Sequence, residues 1–162
     1  MIGVAALMVS NKILSGEEPD VCQEILQDIL TNHQMVLSSY EVLPDERKVI
    51  VQRLRALCEA GVSPVVLTVG GTGVRPTDWV PEATREVIDK EIPGIAEAMR
   101  AESLKKVRTA MLSRGIAGIK EKTLIINLPG SAKGMKENCE VVLPLVDHIV
   151  EKVGHTGIKK DS

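Results

Sequence analysis

The stretch Val65-Val66-Leu67-Thr68-Val69-Gly70-Gly71-Thr72-Gly73 decides the fold. Its first five residues are all β-branched or aliphatic, the make-up of a strand buried on both faces, as in a parallel sheet. Gly70, Gly71 and Gly73 then end the strand, with backbone freedom for left-handed angles and for close approach of a ligand. Val80-Pro81-Glu82-Ala83-Thr84 follows, with proline where a first helical turn tolerates it and an acid beside the positive helix end. Strand, glycine loop and helix in that order form the place where open α/β sheets hold phosphorylated ligands.

Outward from this point the chain keeps alternating. Upstream, Ile2 to Val9 reads as a first buried strand leaving through Ser10-Asn11-Lys12. Asp20 can cap a helix carrying Val21, Ile25, Leu26, Ile29 and Leu30, and Met35 to Leu43 reads as a second strand. Asp45 is placed as an N-cap for a helix with Val49, Ile50, Leu54 and Leu57, ended by Gly61. Downstream, a helix is expected from Pro81 to about Lys90, and another from Pro93-Gly94 carrying Ile95, Ala98 and Met99. Thr109 to Ser113 fits strand or helix. Gly115 to Ile119 and Thr123 to Leu128 read as a hairpin around Lys120-Glu121-Lys122. Ser131 can cap a last helix that Pro144 breaks or kinks and that resumes to about Val153, before a polar tail from Gly154 expected to fray. The expectation is one domain over residues 1–162, a three-layer α/β/α sandwich with a mostly parallel sheet.

Composition narrows the function. Aromatic residues are 1% of the chain, with Trp79 and Tyr40 alone and no Phe, so the core must be aliphatic and stacking on single-stranded bases is disfavoured. A formal charge of −2 without a basic block argues against nucleic acid as a partner. Cys22, Cys58 and Cys139 are odd in number and widely spaced, which suits buried free thiols in a reducing compartment. The apolar start is too short for a membrane span and lacks the basic residues of a signal peptide, so a cytoplasmic location is expected.

Several residues could carry chemistry. Gly70-Gly71-Thr72-Gly73 matches neither the P-loop nor the Rossmann fingerprint, but Thr72 adds a hydroxyl and two acids follow predicted strands nearby. If those strands are parallel neighbours, Asp45 and Asp78 come to one sheet edge, and two carboxylates beside phosphates suit Mg²⁺. Each acid also has a plain reading, Asp45 as a helix cap and Asp78 as a solvated loop residue. Ser131 with Lys133 offers a second anion site at a helix start, or an ordinary cap with an exposed lysine. Ser113-Arg114 is a further donor cluster of low specificity. His33, His148 and His155 share no metal spacing and read as surface residues, and the cysteines read as inert core thiols.

Taken together these motifs resemble a known family. Leu67 to Gly73, then Asp78-Trp79-Val80-Pro81-Glu82-Ala83-Thr84, is similar to the molybdopterin-binding domain signature. Val42 to Glu46, Ala101 to Lys105, Met111 to Gly115 and Asn127 to Lys133 match the same family in the same order. The likeness, from Ile2 to about Val153, is to Mog-type molybdopterin adenylyltransferases, relatives of the gephyrin G domain.

The resemblance implies a homotrimer that transfers AMP from ATP to the terminal phosphate of molybdopterin with Mg²⁺ and releases pyrophosphate. A hand-over of product to a molybdate-inserting protein is part of the same expectation. It implies that Asp45 and Asp78 are required and hold the metal, and that Gly70, Gly71, Thr72 and Gly73 cradle phosphate. Ser103, Ser113, Gly130, Ser131 and Lys133 would bind the pterin or the nucleotide. Two places depart from the pattern. Asn11-Lys12 stands where many relatives have Asp-Arg, and Trp79-Val80 stands where they have Val-Thr, so Asp78 or water would have to satisfy the N–H groups of the following helix. An alternative reading is a non-catalytic molybdopterin-binding or scaffold protein of the same family.

Overall fold

The computed structural model describes residues 1–154; the expected frayed tail falls on residues 155–162, outside the described residues. Strands β1 (Ile2–Val9), β2 (Met35–Leu43), β3 (Val65–Val69) and β6 (Thr123–Leu128) take the sequence-predicted bounds. They lie parallel, with β1 between β2 and β3 and β6 beyond β3. Two shorter strands, β4 (Lys90–Glu91) and β5 (Ala117–Lys120), extend the sheet past β6, each antiparallel to its neighbour. The strand order is β2-β1-β3-β6-β5-β4.

Alternation along the strands builds two cores. Val65, Leu67 and Val69 share one face with Val4, Ala6, Met8, Leu124 and Ile126. Against them pack α2 (Cys22–Asn32), α5 (Pro93–Leu104) and α6 (Ala132–Val153). Ala5, Leu7, Val9, Val66 and Ile125 face the other way, onto α3 (Arg47–Ala60) and α4 (Val80–Val87). This is the expected three-layer α/β/α sandwich, with aliphatic side chains supplying both cores.

Local chemistry explains where the elements start and stop. Asp20 does cap α2, its Oδ1 accepting from the backbone N–H groups of Cys22 (2.9 Å) and Gln23 (3.3 Å). Ser131 caps α6 by accepting from Gly134 N at 3.1 Å. The exit of β1 makes one short turn of helix, α1 (Asn11–Leu14), capped by Ser10.

Two expectations need correction, and one open reading is settled. The helix begun at Pro81 stops at Val87 rather than near Lys90, because Asp89 N–H donates to Ile119 O and Lys90–Glu91 joins the sheet edge as β4. Residues Arg108–Leu112 form a 3₁₀ turn, settling the segment that fitted strand or helix. Pro144 does not break the last helix. It sits on the exposed side of a continuous α6, while Leu143 and Val146 stay buried beside it. The carbonyl that lost its N–H partner belongs to exposed Glu140, so water can take its place.

Candidate active site

The parallel strands β1, β2, β3 and β6 deliver their exits to one sheet edge. There a pocket of about 670 Å³ lies among Ser10, Asp45, the glycine loop, Asp78 and Pro129 to Ser131. The connection after β1 runs to one side and that after β3 to the other, so the crevice sits where an open α/β sheet reverses its winding. Its floor depends on glycine. Gly70 has φ +94°, and a Cβ there would stand 2.7 Å from Val9 O; Gly71 has φ +66°, and a Cβ would meet Val80 Cγ2 at 2.6 Å. Only residues without a Cβ let the exits of β1 and β3 close on the start of α4.

Asp45 does not cap α3, contrary to the plain sequence reading; the cap position is Glu46, whose side chain makes no capping bond. Asp45 instead faces back to β1. Its Oδ2 accepts from Asn11 N at 3.0 Å, and its own N–H donates to Asn11 Oδ1 at 2.8 Å. Asp78 is also anchored rather than merely solvated, with Oδ2 accepting from Arg75 N at 2.9 Å. Of the two partners expected for the N–H groups of α4, Asp78 or water, Asp78 is not one. Val80 N–H donates to Gly71 O at 3.2 Å, Pro81 has no N–H, and the Val80 side chain is fully buried.

The remaining expected residues line the same pocket, in unequal states. Thr72 is buried and its carbonyl accepts from Arg114 N at 2.8 Å. Ser103 is buried on α5, with Oγ donating to Asn138 Oδ1 at 3.3 Å. Ser113 Oγ accepts from Gly115 N at 3.4 Å, and the Ser131 hydroxyl is committed to its cap. Lys133 is exposed at the start of α6 and makes no ion pair among the described residues. The positive end of a 22-residue helix and an unpaired ammonium therefore meet at one rim of the pocket, suited to an anion.

The donor set fits a hard divalent cation. Asp45 and Asp78 line one pocket, and in each the second carboxylate oxygen accepts no hydrogen bond among the described residues. No cluster of three or more His, Cys, Asp or Glu side chains that could hold a metal exists among the described residues. A Mg²⁺ held by two carboxylates would complete its shell with water and substrate oxygens, its usual habit. His148 is exposed, His33 ends α2 with its ring Nδ1 3.0 Å from Ile29 O, and His155 lies outside the described residues. All three cysteines are buried free thiols.

Two residues outside the predicted ligand set support it: Asn127, and Arg114, which the sequence offered only as part of a low-specificity donor cluster with Ser113. Asn127 is buried in β6, where Nδ2 donates to Thr68 Oγ1 (3.0 Å) and Thr84 Oγ1 (2.9 Å) and Oδ1 accepts from Ile116 N (3.1 Å). One amide thus ties β3, β6 and α4 together behind the pocket. The available signal was a polar residue inside an otherwise apolar buried strand, paired with Thr68 in another. Arg114 is the second, bonded to the loop that carries Asp78.

Fold and site together define an open α/β protein with a pocket at the carboxyl ends of its parallel strands, the place where such sheets bind ligands. The family described as probable molybdopterin binding domain matches residues 5–148. A molybdopterin adenylyltransferase of Helicobacter pylori is 38% identical over 154 residues, spanning 94% of this chain and 88% of that protein. Gephyrin of Dictyostelium discoideum is 44% identical over 115 residues, which is 71% of this chain and 16% of gephyrin. Among solved structures, the molybdopterin biosynthesis enzyme MoaB from Thermus thermophilus superposes with a TM-score of 0.90 at 42% identity, covering 98% of this chain and all of the other. The chain belongs to the molybdopterin-binding domain family.

Proposed function

We propose that this protein is a molybdopterin adenylyltransferase acting in molybdenum cofactor biosynthesis. An oxygen of the pterin's terminal phosphate attacks the α-phosphorus of ATP, the new P–O bond forms, the bond to the β-phosphate bridging oxygen breaks, and pyrophosphate leaves. The observation that carries this reading is the gathering of Asp45, Asp78, the glycine loop and the α6 N-terminus around one pocket. Names of relatives support it, since several proteins similar along most of the chain are molybdopterin adenylyltransferases.

Phosphoryl-type transfer needs positioning and charge neutralisation more than covalent help from the protein. Backbone N–H groups of the glycine loop and the α6 start would orient phosphate oxygens, with Lys133 adding charge. Asp45 and Asp78 would hold Mg²⁺, which neutralises phosphate charge when bound. Ser103 and Ser113 line the side toward α5 and the 3₁₀ turn and would meet the pterin or the nucleotide.

Oligomer and location belong to the same proposal. Val107, Met111 and Leu112 are exposed around the 3₁₀ turn, apolar surface that supports assembly into the expected homotrimer. A cytoplasmic site, with product handed to a molybdate-inserting protein, is consistent with free thiols; no helix among the described residues is long and apolar enough to cross a membrane. Incubation with molybdopterin, ATP and Mg²⁺ should give adenylylated pterin and pyrophosphate. Intact pterin binding with no product above background would instead leave a non-catalytic binding or scaffold protein.

A further inference from the structure

Arg114 touches the loop 73–78 at both ends. Its Nε donates to Gly73 O at 2.8 Å and its Nη2 to Asp78 O at 3.0 Å, while Nη1 pairs with the Glu82 carboxylate of α4. The residues between, Val74 to Thr77, are exposed and belong to no helix or strand. Glu82 offers Arg114 a single oxygen, its Oε2 being buried without a partner, and the rest of the fork is spent on the loop. The segment carrying Arg114 is fixed in turn from α5, where Arg100 Nη1 donates to Gly115 O at 2.9 Å and Ser113 O at 3.4 Å. Asp45 has a separate anchor in Asn11, so the two pocket acids are held by independent devices.

We infer that Arg114 is a positioning residue for Asp78: by bonding the carbonyls of Gly73 and Asp78 it sets where that carboxylate stands, and with it the pocket's affinity for a divalent cation. The inference rests on the reading of Asp78 as a cation ligand. A planar guanidinium can serve three acceptors in different directions at once, which a lysine ammonium on a flexible stem does not reproduce. A purely structural Arg114 would change unfolding without changing the metal affinity of the folded protein.

The test titrates Mn²⁺ alone into the full chain and follows water proton relaxation, which is enhanced when the ion is held on the slowly tumbling protein. Asp78→Asn should weaken binding. Arg114→Lys should weaken it by roughly tenfold or more, the usual cost of losing a group that orients a ligand. Arg114→Gln, which keeps an amide donor for the loop, should fall between, and it carries the comparison if the lysine variant does not unfold cooperatively. In the Asp78→Asn background, Arg114→Lys should add nothing further. Wild-type affinity in the folded Arg114 variants, or additive losses in the double variant, overturns the inference. An unchanged affinity in Asp78→Asn overturns the reading of Asp78 itself, so the two failures are separable.

Discussion

Asn11 and Asp45, 34 residues apart, exchange backbone and side chain: Asn11 N–H donates to the Asp45 carboxylate at 3.0 Å, and Asp45 N–H donates to the Asn11 amide oxygen at 2.8 Å. The pair joins the exits of β1 and β2 across the edge where the pocket opens. Asn11 is one of the places where the chain departs from the Asp of many relatives, and here it gives Asp45 a fixed orientation while leaving its second oxygen without a hydrogen bond among the described residues.

Asn11→Ala should therefore cost about 1 kcal/mol of stability, the size of one lost hydrogen bond, and lower turnover more than it lowers substrate affinity. Asn11→Asp keeps an acceptor for Asp45 N–H but sets a second carboxylate beside the first. It should weaken stability at low salt and recover at high salt, because exposed like charges are screened. Denaturant titrations at two ionic strengths check both outcomes.

Asp45→Asn and Asp78→Asn should leave folding intact, since an amide oxygen still accepts from Asn11 N and Arg75 N. Turnover should fall by about two orders of magnitude or more in each, as expected when preorganised charge at the transferring phosphate is lost. Asp78→Ala removes the acceptor as well and should add a stability loss of about 1 kcal/mol. Steady-state rates beside unfolding curves separate these effects; an Asp78→Asn variant with wild-type turnover would remove that residue from the mechanism.

Val80→Thr restores the residue common in relatives, and the structure argues that it does not help. Val80 is fully buried and packs in the core beneath α3 and α4, its methyl close enough to Gly71 to forbid a Cβ there. Val and Thr share a shape but not a polarity, so a buried hydroxyl without a partner should cost roughly 1–3 kcal/mol. Turnover at low temperature should not rise. A faster, equally stable Val80→Thr would show that the hydroxyl has a role at the ligand.

The parallel framework was legible because β1, β3 and β6 are apolar runs buried on both faces. Edge strand β2, polar and largely exposed in its middle, still showed as a β-branched and alternating segment, and all four kept their expected bounds. The α4 boundary was not, since pairing of Lys90 and Glu91 with Gly118 and Ile119 is a long-range contact that local helix patterning cannot register. The break at Pro144, one of the two outcomes expected there, does not occur for a related reason, because burial of its neighbours against the sheet outweighs one missing backbone bond on the solvent side. In the pocket, residue types at strand exits pointed to Asp45 and Asp78. What each acid bonds to, Asn11 and Arg75, depends on how loops meet after folding, as does the hold of Arg114 on residues far away in sequence.

The buried thiols make stability fall at alkaline pH. Burial pushes Cys58 up to about 11 from an unfolded value near 9.0 and Cys139 up to about 12, while burial and then the Asp20 hydrogen bond raise the Tyr40 phenol. A folded-state value above the unfolded one means the folded chain holds its proton longer, so the full contribution is present below pH 9 and is lost as pH rises toward 11–12. Each thiol should lower the unfolding free energy by up to about 1.4 kcal/mol per pH unit in that window. Urea midpoints at pH 8, 9.5 and 10.5 should therefore fall progressively, and Cys139→Ala, though less stable at pH 8, should show a shallower decline. The same burial predicts that a water-soluble disulfide reagent at pH 8 labels no thiol rapidly until the chain unfolds. Fast native-state labelling of Cys58 or Cys139 would contradict the closed core from which the pH dependence is derived.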